Sequence, residues 1–410
     1  MPQPSPAAQL SRPEFIALVA ALMALNALAI DILLPALPLL GAAHDVADPN
    51  HRQLVIGAYM LGFGVAQLAF GPISDRFGRR GPLLWGMAVY VAAAFAAVFA
   101  PSFGVLLGLR LVQGLGAAAT RVIAVSVVRD CYSGRAMAEI MSLAFMTFMA
   151  VPILAPSLGQ VILFTGPWQY VFVFMGGLCA LVALWAWLRL PETLALKNRR
   201  PLDFASVTGG FAVVLGNRMA MGYGAAGIFL FGAILGFITQ AQQIYVDIYG
   251  LGPLFPLVFA AMAGLMSLAS FLNARMVARL GMRRMSHFAI LAHVVFAAIL
   301  LGCSLLFPVP LWLFFGLVAV IMFMFGWSSS NMNSLSMEPL GAVAGTASSA
   351  FGFMQTVGGA LIGSFVGQHF DGTVRPVAAG YLFTGLAALV CCLVAEKGRL
   401  FGTGAGGQGK

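Results

Sequence analysis

The sequence predicts an all-α membrane protein, with twelve transmembrane helices in two pseudo-symmetric six-helix bundles. Three observations carry this. Hydrophobic residues make up 61% of the 410 residues and charged residues only 9%, where a soluble domain carries roughly 25% charged. Apolar stretches of about 20 residues, the length a helix needs to cross a bilayer, recur along the chain. The basic residues collect on alternate loops between them. Mean hydropathy is +0.95.

The predicted spans run near 15–40, 53–72, 82–101, 104–128, 138–163, 168–189, 219–246, 254–276, 286–306, 311–335, 342–368 and 376–395. Breaks such as Pro101-Ser102, Gly166-Pro167 and Pro308-Val309-Pro310 separate them. The domain plan follows: an N-terminal segment 1–14, a bundle 15–190, a linker 191–218, a bundle 219–395 and a disordered tail 396–410. The tail is glycine-rich and carries no functional signal. Pro2, Pro4 and Pro13 precede an apolar run too long for a signal peptide and without a small-residue cleavage site, so a retained first helix is expected.

Charge sets the orientation. With a cytoplasmic N-terminus, the cytoplasmic segments hold Arg12, Arg76, Arg79, Arg80, Arg129, Arg135, Arg189, Lys197, Arg199, Arg200, Arg218, Arg275, Arg279, Arg283, Arg284, Lys397, Arg399 and Lys410. Only Arg52 and Arg375 fall on the other side, and Arg110 and Arg121 lie inside spans. This is the positive-inside bias, with both termini cytoplasmic. It accounts for the net charge of +9 without a nucleic-acid partner. The expected surroundings are the lipid bilayer, and a monomer is expected.

Catalysis and metal binding are not indicated. The five cysteines, Cys131, Cys179, Cys303, Cys391 and Cys392, lie in or beside apolar stretches without paired metal spacing. His44, His51, His287, His293 and His369 are scattered, and no nucleophile–base pair or phosphate loop is present. The expectation is no enzyme, no metal and no cofactor.

A repeat relates the two halves. Arg76-Phe77-Gly78 and Arg80 recur 203 residues later at Arg279-Leu280-Gly281 and Arg283, each copy after the second helix of its half. Asp75 has Ala278 as its counterpart. Such halves are a recurring plan of membrane transporters.

Two charges lie deep in predicted spans. Asp31 in helix 1 sits about 14 Å, and Arg110 in helix 4 about 10 Å, below the same outer face at about 1.5 Å per residue. At matching depth they are expected to confront one another. A carboxyl so placed could hold a proton in one conformation and release it in another. The alternative is a structural pair joining helices 1 and 4. Arg121 follows Arg110 by about three turns and faces the same side. It either contacts an anionic or polar substrate group or snorkels to the cytoplasmic end, about 10 Å away. Intramembrane ionisable residues are functional candidates by default.

Other polar groups suit a broad pocket for small amphipathic molecules. They are Tyr59 and Gln67 in helix 2, Gln240, Gln243, Tyr245 and Asp247 on helix 7, Asn331 and Asn333 in helix 10, and Gln355 in helix 11. For each, the alternative is an interhelical hydrogen bond.

Several motifs carry a family resemblance. Gly71-Pro72-Ile73-Ser74-Asp75-Arg76-Phe77-Gly78-Arg79-Arg80, with its pattern G-x-x-x-D-R-x-G-R-R, resembles the cytoplasmic loop between helices 2 and 3 of major facilitator superfamily transporters. Arg110-Leu111-Val112-Gln113-Gly114-Leu115-Gly116 resembles their helix 4 motif R-x-x-Q-G-x-G. Helix 5, with Pro152, Pro156 and Gly159, imperfectly resembles the antiporter motif: Ala150 and Ala155 stand where relatives often have glycine, and Gln160 replaces the last one. Asp31 with Leu34-Pro35-Ala36-Leu37-Pro38, then Val128-Arg129-Asp130-Cys131-Tyr132-Ser133-Gly134 and Pro191-Glu192-Thr193, narrow the resemblance to the Bcr/CflA drug-resistance transporters, twelve-helix drug:proton antiporters of bacterial inner membranes.

The resemblance, over residues 13–395, implies proton-coupled efflux of drugs or other small amphipathic molecules by alternating access, with the proton as coupling ion. It makes Gly71, Asp75, Arg76, Gly78, Arg79 and Arg80 a cytoplasmic gate, with Arg129 as the helix 4 partner of Asp75. Some relatives carry a second helix 1 acid where this chain has Met23, so coupling would fall on Asp31. Proton-coupled uptake of a small metabolite on the same fold is the alternative, and a membrane receptor without transport is a further class.

Overall fold

The computed structural model describes residues 10–132, 134–196, 199 and 204–401. All regular structure among the described residues is helical. The N-terminal unit, Met1–Asp203, and the C-terminal unit, Phe204–Lys410, are each compact.

The first unit holds α1 (Arg12–Asp31), the short α2 (Leu37–Ala43), α3 (Leu54–Phe77), α4 (Arg80–Ala97), α5 (Phe103–Cys131), α6 (Gly134–Thr165) and α7 (Gln169–Arg189). The second holds α8 (Phe204–Gly216), α9 (Arg218–Gln242), α10 (Phe255–Leu280), α11 (Met282–Leu306), α12 (Leu311–Met337), α13 (Ala344–Gln368) and α14 (Arg375–Ala395). Together α1 and α2 are the first predicted span, α3 to α7 the next five, and α9 to α14 the last six. Among the described residues, eleven stretches are long and apolar enough to cross a membrane. The remaining predicted span is α6, helical over 32 residues, whose described apolar stretch, Ala150–Thr165, is shorter.

In the N-terminal unit α3 packs along α5, α5 along α4, α1 against α6, and α4 against α7. The α3–α5 seam depends on missing side chains. A Cβ on Gly62 would run into the Leu111 carbonyl, and one on Gly114 into the Tyr59 carbonyl. Small residues let span backbones approach closely where no hydrophobic effect drives association. At one end of the bundle Arg189 donates to both carboxylate oxygens of Glu14 (2.7 and 2.8 Å), tying α7 to α1. In the C-terminal unit α9 packs on α13 and α14, α11 on α12 and α14, and α10 on α12.

The repeat has a conformational basis. Gly78 and Gly281 end α3 and α10 at φ +93° and +83°, a region L side chains avoid. The same turn thus reverses the chain after the second span of each half.

Three features depart from the predicted boundaries. The first span is broken: α1 stops at Asp31, and a 3₁₀ turn, Leu34–Ala36, precedes α2. Pro35 has no N–H to offer the Asp31 carbonyl four residues back, which ends the helix there. Second, the predicted linker 191–218 contains α8, whose Val214 is buried with Ala220, Leu340 and Phe351. Its apolar run packs on the bundle. Third, the predicted tail begins folded. Glu396 accepts from Tyr223 and Arg283, and the Phe401 amide donates to Nδ1 of His287 at 3.0 Å.

Candidate functional site

Asp31 ends α1 at the proline break and is only 4% exposed. Among the described residues its carboxylate makes no hydrogen bond or ion pair. Arg110, in α5, is completely buried. The expected ion pair between the two is not formed. Instead Arg110 donates from Nε to the Val55 carbonyl (3.2 Å), and from its terminal nitrogens to the Gln113 side-chain carbonyl (2.6 Å) and the Ala29 carbonyl (2.9 Å). Its guanidinium lies 4.5 Å from the centroid of the Tyr59 ring. Neutral acceptors from α1, α3 and α5 thus use its donors, and the backbone of α1 is held two residues before Asp31. Tyr59 is fully buried, and its hydroxyl donates to Oδ1 of Asn26 (3.3 Å), whose Nδ2 donates to Thr120 (2.9 Å). Tyr59 therefore holds Arg110 and α1 rather than an open pocket wall.

Arg121 lies three turns further along α5. Its guanidinium sits 5.9 Å from the Phe63 ring centroid. It makes no hydrogen bond or ion pair among the described residues. Gly114 and Gly116, of the helix 4 motif, are buried where α5 meets α3 and α4: a Cβ on Gly116 would strike the Gly86 carbonyl. On α6, Pro156 is buried, Pro152 half-buried, and a Cβ on Gly159 would run into the Ile32 carbonyl, one residue past Asp31. The proline-bent helix thus seats on the break in the first span.

The charged turn gathers the three motifs into one network. Arg79, 2% exposed, donates to Asp75 (2.6 Å), Ser74 (2.7 Å) and both Asp130 oxygens (2.8 and 3.4 Å). Thr193 donates to Asp130 (3.2 Å), and Glu192 accepts from the backbone amides of Arg79 (2.8 Å) and Arg80 (3.2 Å). Burial disfavours the Arg79 charge, but Asp130 and Asp75 more than offset this and hold its guanidinium above the usual range. Arg80 also donates to the Trp187 carbonyl. Arg76 and Arg129 are exposed, and Gly71 accepts from Ser74 through its carbonyl. The expected partner of Asp75, Arg129, is thus replaced within this unit by Arg79, four residues on in the same turn. The roles of Asp130, Glu192 and Thr193 were not read from sequence, although all three stood in the motifs that carried the resemblance.

In the C-terminal unit the predicted pocket residues separate. Gln355 lines a small pocket between α9, α12 and α13, with Tyr223, Gly227, Phe325, Ser329, Met332, Asn333, Ser336 and Phe351. Asn331 does not line it; it exchanges hydrogen bonds with Asn273 across to α10 (2.8 and 3.2 Å). Gln240 donates to the Val366 carbonyl and links α9 to α13. Gln243 and Tyr245 lie buried in a π-helical turn, Gln243–Ile248, with Tyr245 among Phe237, Tyr249 and Phe314. Gln240, Gln243, Tyr245 and Asn331 therefore sit in the bundle interior. Helical spacing alone separates Asn333 from Asn331: two residues turn the side chain by about 200°.

The profile of the Major Facilitator Superfamily matches residues 19–363. The chain belongs to the Major Facilitator Superfamily. This superfamily member is 30% identical over 387 residues, 93% of its length and 94% of the relative's, to a bicyclomycin resistance protein homolog of Haemophilus influenzae. It is 31% identical to multidrug resistance protein D of Escherichia coli, over 84% of this chain and 86% of that one. In fold it resembles the crystal structure of a D-xylose-proton symporter, with a TM-score of 0.72 at 14% identity, covering 95% of this chain and 100% of that one. The two sequence relatives are named for bicyclomycin and multidrug resistance, and this superfamily member is a multi-pass membrane transporter.

Proposed function

We propose that this transporter exports drugs or other small amphipathic molecules across the bacterial inner membrane in exchange for protons, as a monomer and by alternating access. The observation that carries the reading is Asp31: buried, at a helix break inside the first span, and without a partner among the described residues. An uncompensated buried carboxylate is strongly destabilising. A proton removes that charge, and a substrate that displaces the proton couples the two movements. Each proton entering down the membrane potential gains about 2.3 kcal/mol per 100 mV. Residues of α6 support the coupling, because Gly159 seats that helix on the backbone beside Asp31. The names of the relatives, which concern bicyclomycin and multidrug resistance, support export and substrate class.

Arg110 positions the acid: it clamps the Ala29 carbonyl and so fixes the end of α1. The Arg79 network acts at the charged turn, placed on the cytoplasmic side by the positive-inside bias. The pocket beside Gln355 and Asn333 supplies neutral hydrogen-bonding groups and aromatic walls for the substrate.

The test is drug accumulation in everted membrane vesicles energised with a proton gradient. Wild-type vesicles take up drug and lose it when the gradient is collapsed, and Asp31→Asn vesicles do not respond to the gradient. Undiminished gradient-driven uptake by the Asp31→Asn protein overturns the reading.

A further inference from the structure

We infer that Arg121 is the anion-recognition residue of this transporter, and that its substrates include organic acids. This rests on the export reading above and names a substrate class for it.

The inference comes from a contrast between two arginines on one face of α5. Each guanidinium lies against a ring of α3: Arg110 is 4.5 Å from the Tyr59 centroid and Arg121 is 5.9 Å from that of Phe63. The two rings are themselves stacked, 6.2 Å apart and 5° from parallel. Arg110 is fully buried and donates to three neutral acceptors. Arg121 has the same support and none of the acceptors among the described residues, and its side chain is partly exposed. Its planar fork of donors therefore lies against a ring with no acceptor engaged among the described residues. A carboxylate fits such a fork with two parallel hydrogen bonds.

Snorkelling does not account for this position. Arg121 lies ten residues before the Cys131 end of α5, about 15 Å. Phe63 lies fourteen residues before the Phe77 end of α3, about 21 Å from the same end of the bundle. Lying against Phe63, the guanidinium reaches deeper into the span, away from the charged turn. A helical side chain leans toward its own N-terminus, which here means inward. Phe63 is only 4% exposed and stacks on Tyr59, so it backs the guanidinium, and the carboxylate is the part of the ligand that is recognised. An inside-negative potential drives such an anion outward.

The test uses purified protein in liposomes with an imposed proton gradient and two dyes that share a xanthene core, anionic 5-carboxyfluorescein and cationic rhodamine 6G. The wild type carries 5-carboxyfluorescein saturably. Arg121→Gln raises its half-saturating concentration at least tenfold and leaves that of rhodamine 6G within twofold. Arg121→Lys, which keeps the charge and loses the fork, falls between. Phe63→Leu weakens the anion selectively and by less, and serves if Arg121→Gln does not fold. Equal losses for both dyes, or an unchanged 5-carboxyfluorescein, overturn the assignment. So does a wild type that carries rhodamine 6G alone, a result that leaves the export reading standing. A wild type that carries neither dye yet moves other drugs against the gradient likewise overturns only the assignment, whereas one that moves no drug overturns the export reading itself.

Discussion

At the scale of single residues, the chain separates two kinds of buried charge. Arg79 is compensated, with Asp130, Asp75 and Ser74 around its guanidinium. Removing it strands Asp130, whose side chain is 13% exposed, more than Asp75 at 38%. Arg79→Ala is therefore expected to destabilise the N-terminal unit by about 3 kcal/mol. Arg76→Ala, at an exposed position three residues earlier, should stay within about 0.5 kcal/mol. Thermal midpoints of the purified proteins in detergent check both, and equal midpoints for the two variants would refute the buried network. Asp31, by contrast, is legible in sequence as an acid in a span, but its lack of a partner among the described residues was not. Depth along a helix matched it to Arg110, while the carbonyls of Ala29 and Val55, which satisfy that arginine, leave no trace in side-chain patterns.

At the scale of elements, packing decides which polar residues are available. Asn331 and Gln355 looked alike in sequence, and only their neighbours distinguish a helix-to-helix bond from a pocket wall. Asn273 and Asn331 exchange two hydrogen bonds between α10 and α12. A double-mutant cycle on this pair to alanine should return a coupling of about 0.6 kcal/mol, with about 1.7 as the ceiling. A coupling indistinguishable from zero would mean the pair does not join the helices. The α3–α5 seam makes a sharper prediction. Gly114→Ala pushes a methyl into the Tyr59 carbonyl, and backbone cannot step aside as a side chain can. Folded yield and transport should both fall, whereas Gly108→Ala on the same helix, with open space around it, should match the wild type. The α1 break belongs to this scale too. Pro35 and Pro38 were visible, but a proline in a span can either kink a helix or end it, and only the chain's surroundings decide which.

At the scale of the whole molecule, hydropathy and charge made most of the architecture legible. Membrane spans must satisfy their backbone internally, so long apolar stretches can only be helices. The helix-rich units and the glycine turns at Gly78 and Gly281 follow that pattern. The folded residues after α14 and helix α8 escaped it, because short segments that pack on a bundle's end have neither the length nor the periodicity of a span. Orientation rests on the arginines. In an Escherichia coli host, a green fluorescent protein fused after Lys410 should fluoresce and an alkaline phosphatase fused there should be silent. The opposite pattern would invert the topology and put the Arg79 network on the wrong face for a cytoplasmic gate.

Asp31, a buried carboxyl at the end of α1 without a partner among the described residues, is proposed to trade its proton for cargo. The most direct measurement is pH in a weakly buffered detergent solution of the purified protein as an exported drug is added. The wild type should acidify the medium in proportion to drug bound, and Asp31→Asn should bind drug without releasing a proton. Equal acidification by the two proteins would contradict the account.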